Sequence, residues 1–190
     1  MTKIEYSEER LVELALYIGA KCGLDEHYGV LKLNKILFYA DFAAYRQLGK
    51  PITGAKYKKY EHGPAPAVMK RVRQKMEDQG DAFQYTNWLP VFSPDGDQHS
   101  ENRLLTMREP KIEMFDPKEI SIVDSVIERL RGLTGRAVSD MSHVHPGWKF
   151  AAMEDDIPYH AALLPESGPS PLSKADRAQA ETIARAWQAS

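Results

Sequence analysis

The sequence predicts a mainly α-helical fold of the α+β class, in which a compact helical domain surrounds a central apolar helix. A small antiparallel β-hairpin and a C-terminal helix complete the predicted architecture. Apolar residues recur at helical spacing in several segments. The segment from Val30 to Leu48 is apolar on almost every side, which is typical of a helix covered by other elements. Two strand-like segments, residues 82–86 and 103–107, flank a turn-forming loop.

The composition limits the classes of protein to which the chain can belong. With 190 residues, 43% of them hydrophobic and 27% charged, the chain suits one globular domain and not wholesale disorder. A net charge of −2 predicts no general attraction to nucleic acid or membrane. The one cysteine, Cys22, excludes an internal disulfide and a cysteine-rich zinc site, and we expect it to be buried and inert. Without a signal peptide or an apolar run of about 20 residues, a cytoplasmic protein with no membrane partner is expected.

The first helix is predicted to begin after Ser7, a capping residue followed by two acids. Gly23 is expected to end this helix with a positive φ angle. In the central helix, Asn34 and Asp41 are seven residues apart and share one face. Because buried polar groups need hydrogen-bond partners, this pair is expected to anchor a backbone turn or a basic side chain. The alternative is a polar strip in contact with solvent.

After the central helix the sequence predicts a short strand and a basic helix. Residues 55–61 contain two tyrosines among lysines and are predicted to form the strand. The sequence Gly63-Pro64-Ala65-Pro66 is expected to break regular structure and to begin a helix, because proline is tolerated in the first helical turn. That helix is predicted to end near Gly80.

The second half of the chain carries the β-hairpin and two more helices. The hairpin loop is expected at residues 93–97. The sequence from Asp116 to Glu119 is a strong helix start, with a capping residue followed by proline. A short helix is predicted over residues 136–144 and is followed by a turn from His145 to Trp148. Residues 154–159 are expected to form an acidic loop.

The chain is predicted to divide into one domain and a C-terminal appendage. Residues 1–164 are expected to form the domain, and residues 165–190 a proline-containing linker followed by an amphipathic helix. Ile183 and Trp187 lie on the narrow apolar stripe of this predicted helix, which either packs on the domain or binds a partner.

The sequence contains no set of residues that would support catalysis. It has no nucleophile elbow, no phosphate-binding loop and no His-Glu-x-x-His motif, so we predict that the protein is not an enzyme and uses no cofactor or metal. A competing hypothesis is a metal-dependent hydrolase that uses His143, His145 and His160 as ligands. The Pro146-Gly147 that follows these first two histidines favours a structural turn.

A strongly basic run lies between Lys56 and Lys75, where seven lysine and arginine residues accompany one acid, Glu61. One interpretation is a solvated helix face next to an edge strand that is protected by lysines. The other is an electropositive surface for an acidic partner protein or for nucleic acid, with Tyr57 and Tyr60 as aromatic anchors. The sequence leaves both interpretations open.

Three motifs follow one another in the central part of the chain. They are Lys32-Leu33-Asn34-Lys35-Ile36-Leu37-Phe38-Tyr39-Ala40-Asp41, Gly49-Lys50-Pro51-Ile52 and Tyr60-Glu61-His62-Gly63-Pro64-Ala65-Pro66. In order and spacing they resemble the Panacea domain of the antitoxin family that includes SocA and the phage-associated GepA-type proteins. The resemblance covers about residues 30–75 and, in outline, the first helix and the helix after Asp116. Many relatives have an aromatic residue before the polar-Gly-Pro turn, and the departure at residues 60–62 favours the SocA-like branch.

The resemblance implies a mainly helical fold and a type II antitoxin that neutralises a cognate protein toxin by direct binding. It also implies a role like that of SocA, a proteolytic adaptor that passes its toxin to the ClpXP protease. The residues that the resemblance assigns to a structural motif are Lys32, Leu33, Leu37, Tyr39, Asp41, Gly63 and Pro64.

The leading hypothesis from the sequence is therefore a cytoplasmic antitoxin-like binding protein. The residues predicted to contact the partner are Tyr57, Lys59, His62 and Arg71, with Ile183 and Trp187 as a second anchor. The alternative is a nucleic-acid-binding protein, autoregulatory or phage-associated, that uses the basic surface of residues 56–75. Phosphate contacts of that kind weaken steeply with salt.

Overall fold

A computed structural model of the chain describes residues 4–89 and 99–164, and it confirms a mainly helical fold with small antiparallel sheets. The helices in the described residues are α1 (Glu8–Cys22), α2 (Val30–Leu48), α3 (Met69–Asp78), α4 (Pro117–Leu130), α5 (Gly135–His143) and α6 (Pro146–Phe150). The strands are β1 (Tyr57–Tyr60), β2 (Gly63–Pro66), β3 (Ala82–Leu89), β4 (His99–Thr106) and β5 (Asp156–Ile157). Short 3-10 helices span Ile112–Met114 and Tyr159–Leu163.

The helix α2 is the central element, as its apolar sequence predicts. It packs against α1, α4, α5, β2 and the last 3-10 helix. Its side chains Leu33, Leu37 and Phe38 have no exposed surface. The left-handed Gly49 ends α2, and its N–H donates to the carbonyl of Tyr45.

The start of α1 and its end at Gly23 are confirmed, whereas the positive φ angle expected for Gly23 is wrong. The Ser7 hydroxyl accepts a hydrogen bond from the N–H of Arg10, which caps the helix. Gly23 has a φ of −55° and not a positive angle. The backbone continues through a further turn in which the N–H of Asp25 donates to the carbonyl of Cys22, so no left-handed residue is required there.

The strand β1 lies between β2 and β5 in a three-stranded antiparallel sheet. The prediction that Gly63-Pro64-Ala65-Pro66 begins a helix is wrong, because these residues form β2 and α3 begins only at Met69. The φ angle of proline suits a strand as well as a first helical turn. Proline has no N–H to donate to a neighbouring strand. It is tolerated in β2 because β2 is an edge strand of the sheet.

A second correction concerns the residues from His145 to Trp148, which were expected to form a turn. They start the helix α6, in which the His145 Nδ1 accepts a hydrogen bond from the N–H of Gly147. The pattern is the same as in α4, where Asp116 forms the predicted cap and a capping box. In both helices a capping side chain precedes proline at the first helical position.

The predicted β-hairpin is confirmed as the pair β3–β4, which forms a separate sheet. Its strand β4 packs closely on α1, because a Cβ at Gly19 would lie 2.7 Å from the Thr106 Cγ2. The expected acidic loop contains β5, which pairs with β1. The expected loop at residues 93–97, the linker and the C-terminal helix lie outside the described residues.

Cys22 is buried, as the sequence predicts. Burial raises the pKa of its thiol to about 11, which keeps it protonated and unreactive at neutral pH.

Candidate partner-binding site

The candidate site rests on Asp41, a fully buried carboxylate of α2. Its Oδ1 accepts hydrogen bonds from the N–H groups of Ile52 and Thr53 at 2.7 and 2.8 Å. Its Oδ2 accepts from the hydroxyls of Thr53, Tyr57 and Tyr159. Burial raises the pKa of this carboxyl, and the hydrogen bonds from Thr53 and Tyr57 act in the opposite direction. The expectation that Asp41 anchors a backbone turn is confirmed.

Asn34, the other member of the predicted polar pair, does not share this role. Its Oδ1 is buried and has no hydrogen-bond partner in the described part of the chain. The pair therefore consists of one anchoring residue and one unsatisfied acceptor.

Tyr57 is not part of a surface, which corrects the sequence prediction. Its side chain is fully buried, its hydroxyl donates to Asp41 at 2.8 Å, and its ring lies 5.5 Å from that of Phe38. Because β1 packs its first residue on α2, this aromatic ring belongs to the core. Burial raises the pKa of Tyr57 well above its ordinary value.

The residues of the predicted structural motif lie in the core around α2. Tyr39 is 8% exposed, and Lys32, although charged, is 1% exposed and pairs with Asp25 at 2.8 Å. Leu33 and Leu37 are fully buried.

The turn between β1 and β2 fits closely over α2 and α5. Gly63 has a φ of +94°, and a Cβ there would lie 2.2 Å from the Ser142 Oγ and 2.5 Å from the Lys35 Cε. Lys35 is almost fully buried and donates to the carbonyl of Pro64 at 3.1 Å. Burial lowers the pKa of Lys35 to about 7. Glycine is thus required at position 63 for both its conformation and its size.

We expect Gly63→Ala to lower the free energy of unfolding by about 2–4 kcal/mol, because it adds a backbone penalty and a steric clash. Gly80→Ala is the matched control, since Gly80 has a φ of +74° with no atom within 4 Å of the added Cβ. It should cost only about 1–2 kcal/mol, the penalty for a left-handed residue. Urea unfolding measures both, and equal losses would contradict the close fit at Gly63.

Lys59 and Trp148 form a cation–π contact beside this turn. The Lys59 ammonium lies 4.1 Å from the centre of the Trp148 ring and donates to the carbonyl of Ala151 at 3.0 Å. The other neighbour of Trp148 is His143, whose ring stacks on the indole with centroids 4.0 Å apart. His62 is exposed at the turn, as the sequence predicts. The contribution of Trp148 was missed, because its approach to β1 depends on distant parts of the chain.

The charge of the basic run of residues 56–75 is partly neutralised in the folded protein, since two acids from other elements pair with four of its seven cations. Arg71 and Lys75 both pair with Glu8, and their hydrogen bonds, with that of Arg71 foremost, lower the pKa of this carboxyl to about 2. Lys56 and Lys58 lie 3.9 Å from the carboxylate of Asp156. These acids come from α1 and β5, so the sequence of the run could not reveal them. The expectation of a lysine-protected edge strand is also wrong, because β1 is the middle strand of its sheet.

The histidines of the competing metal hypothesis have other surroundings. His145 is buried among aromatic rings, with its centroid 4.8 Å from that of Phe38, and burial lowers its pKa to about 4. His143 stacks on an indole, and His160 lies on the last 3-10 helix. The described residues contain no cluster of three histidine, cysteine or acidic side chains that could hold a metal.

The outer face of β3–β4 is an exposed apolar surface that the sequence analysis missed. Phe83 and Tyr85 have parallel rings with centroids 6.5 Å apart, and Leu105 pairs with Phe83 across the strands. These residues and Met107 are between 38% and 60% exposed. The alternation of apolar residues along the two strands was the signal that could have identified this face.

Comparison with known proteins identifies the family. The sequence model of one family, "Antitoxin SocA-like, Panacea domain", matches residues 33–149, well over half of the chain. The chain belongs to the SocA-like Panacea antitoxin family. Neither the curated proteins nor the solved structures gave a match.

The Panacea match begins in α2 and ends in α6. It includes Asp41, the turn between β1 and β2, and the stack around Trp148. Ile183 and Trp187, the predicted second anchor, lie outside both the match and the described residues. Within residues 4–89 and 99–164, no helix has the length and apolar character needed to cross a membrane.

Proposed function

We propose that the protein is a cytoplasmic antitoxin of a type II system, which neutralises a cognate protein toxin by direct binding and without catalysis. The observation that carries this proposal is membership of an antitoxin family, since the matched region spans the structural core of the domain. The partly neutralised basic run supports a protein partner over nucleic acid, because Glu8 and Asp156 already pair with four of its seven basic residues.

Co-expression with each protein encoded next to this gene tests the proposal. One neighbour should arrest growth when it is expressed alone and lose this effect when the Panacea protein is present. The two proteins should elute as one complex in gel filtration. Neighbours that are harmless alone, or a toxic neighbour that forms no complex, would contradict the proposal.

The contact residues Lys59, His62 and Arg71 can be tested in the same system. Their simultaneous replacement by alanine is expected to raise the Kd of the complex at least about tenfold, because a few residues carry most of the binding energy of an interface. Calorimetry measures the Kd. Lys118→Ala, which alters an exposed cation on α4, is the control and should leave the Kd unchanged.

We also propose that the protein delivers the toxin to ClpXP, as the resemblance to SocA implies. The half-life of the toxin should then shorten when the antitoxin is present and lengthen again in cells without ClpX. A half-life that does not depend on ClpX would leave binding as the mode of neutralisation and reject the adaptor role.

A further inference from the structure

The helices α2, α5 and α6 hold the backbone of the turn between β1 and β2 through side-chain hydrogen bonds. The Trp148 Nε1 donates to the carbonyl of Tyr60 at 3.1 Å, and the Ser139 Oγ donates to the carbonyl of His62 at 2.9 Å. The Lys35 Nζ donates to the carbonyl of Pro64 at 3.1 Å. These donors come from α6, α5 and α2, so three helices fix one short stretch of backbone. We call residues 60–64 the hairpin tip.

Further contacts restrict the hairpin tip on the same side. The His143 ring stacks on Trp148, and its Nε2 lies 3.4 Å from the Oγ of Ser139. Gly63 packs closely on α5, because a Cβ added at Gly63 would lie only 2.2 Å from the Ser142 Oγ. In contrast, the side chains of Glu61 and His62 are exposed. A backbone that is already ordered loses less conformational entropy when its side chains bind a partner.

The charges around the hairpin tip indicate which partner it suits. Glu61 is the one acid of the run from Lys56 to Lys75. The neighbouring ammonium groups are engaged within the protein, since Lys58 donates to the carbonyl of Glu154 and Lys59 donates to that of Ala151. The exposed carboxylate therefore offers a site for a cationic side chain.

We propose that the hairpin tip is a rigid recognition element, with Glu61 and His62 binding a protein surface that offers an arginine or lysine to Glu61. Ser139 and Trp148 are positioning residues, which act by fixing the carbonyls of the tip. This inference rests on the proposed function for the identity of the partner, the toxin encoded next to this gene.

Charge reversal at the tip tests the recognition. Glu61→Lys is expected to raise the Kd for the co-expressed toxin at least about tenfold, and Glu61→Gln should have a smaller effect in the same direction. Glu113→Lys is the matched control, because it makes the same change at an exposed glutamate on a different element. If Glu61→Lys binds as tightly as Glu113→Lys, recognition by the tip is refuted.

Backbone dynamics test the positioning residues without any toxin. We expect ¹⁵N order parameters of about 0.85 for Glu61 and His62 in the wild-type protein. Ser139→Ala and Trp148→Phe should lower them, and Ser139→Thr, which keeps the hydroxyl, should restore the wild-type values. Order parameters below about 0.6 in the wild type would refute a rigid tip, and values unchanged in both variants would refute the positioning role of Ser139 and Trp148.

The Kd measurements and the order parameters together distinguish a failure of this inference from a failure of the proposed function. If the wild-type protein binds no neighbouring gene product, the antitoxin proposal fails, and the order parameters still decide whether the tip is rigid. If the toxin binds and only changes at Phe83 or Leu105 weaken the complex, the antitoxin proposal stands. In that case the apolar face of β3–β4 is the interface, and recognition by the tip is wrong.

Discussion

Asp41→Ala is expected to lower the free energy of unfolding by about 3–5 kcal/mol, the largest loss that we anticipate from a single side chain. The fully buried carboxylate accepts from two backbone N–H groups and from the hydroxyls of Thr53 and Tyr57, whereas the Tyr159 hydroxyl lies closer to the carbonyl of Ala55, at 2.6 Å. Its removal leaves the N–H groups of Ile52 and Thr53 and the hydroxyl of Tyr57 buried without this acceptor. Urea unfolding, followed by circular dichroism, measures the change.

Asp41→Asn should cost less than Asp41→Ala, and the difference tests the role of the charge. The asparagine oxygen can still accept from Ile52 and Thr53. The Tyr57 hydroxyl can rotate to accept from the new amide, although it then loses its acceptor, whereas the Tyr159 hydroxyl still donates to the carbonyl of Ala55 at 2.6 Å. Asp155→Asn, an exposed control, should change stability by less than about 0.5 kcal/mol. A loss below about 1 kcal/mol for Asp41→Ala would show that other contacts hold the turn.

Lys35→Met should stabilise the protein near neutral pH. It should also remove the part of the pH dependence of stability that arises from the titration of Lys35. The pKa of Lys35 is about 7 in the folded protein and has its ordinary value of 10.5 in the unfolded chain. Between these values the unfolded state binds a proton that the folded state lacks. The free energy of unfolding therefore rises with pH by up to about 1.4 kcal/mol per pH unit. Well below pH 7, Lys35 is protonated in both states and contributes no pH dependence.

Denaturant titrations between pH 7 and 9 measure this effect. Over these two units the wild type should gain about 2 kcal/mol relative to Lys35→Met, a window in which Cys22 stays protonated in the folded protein. Lys70→Met is the control, because Lys70 is exposed, and its profile should follow the wild type. Parallel profiles for wild type and Lys35→Met would show that Lys35 remains charged when it is buried.

Local sequence signals were sufficient for α2 and for the start of α4. The bounds of α2 follow from a long apolar segment that is closed by Gly49, and the start of α4 follows from Asp116 and the proline after it. Such signals act over a few residues, so they do not depend on the rest of the fold. The start of α3 was misplaced because a proline-rich segment is compatible with both a helix start and an edge strand. The pairing of β2 with β1 decides between them.

The candidate site was harder to predict because distant residues determine it. Tyr57 turns inward toward Asp41, and Arg71 meets Glu8, which is 63 positions away in the chain. Lys59 and His62 were identified from a basic, turn-forming segment, and their roles in binding remain predictions. Trp148 could not be connected with them, since no periodic pattern relates α6 to β1.

The attachment of the hairpin tip to α5 and α6 links its order to local unfolding. Because Ser139 and Trp148 donate to its carbonyls, opening of either helix releases the backbone that they hold. A ligand that binds only the ordered tip must therefore stabilise α5 and α6 against opening, by thermodynamic linkage. Slower hydrogen exchange in these two helices would then report occupancy of the tip.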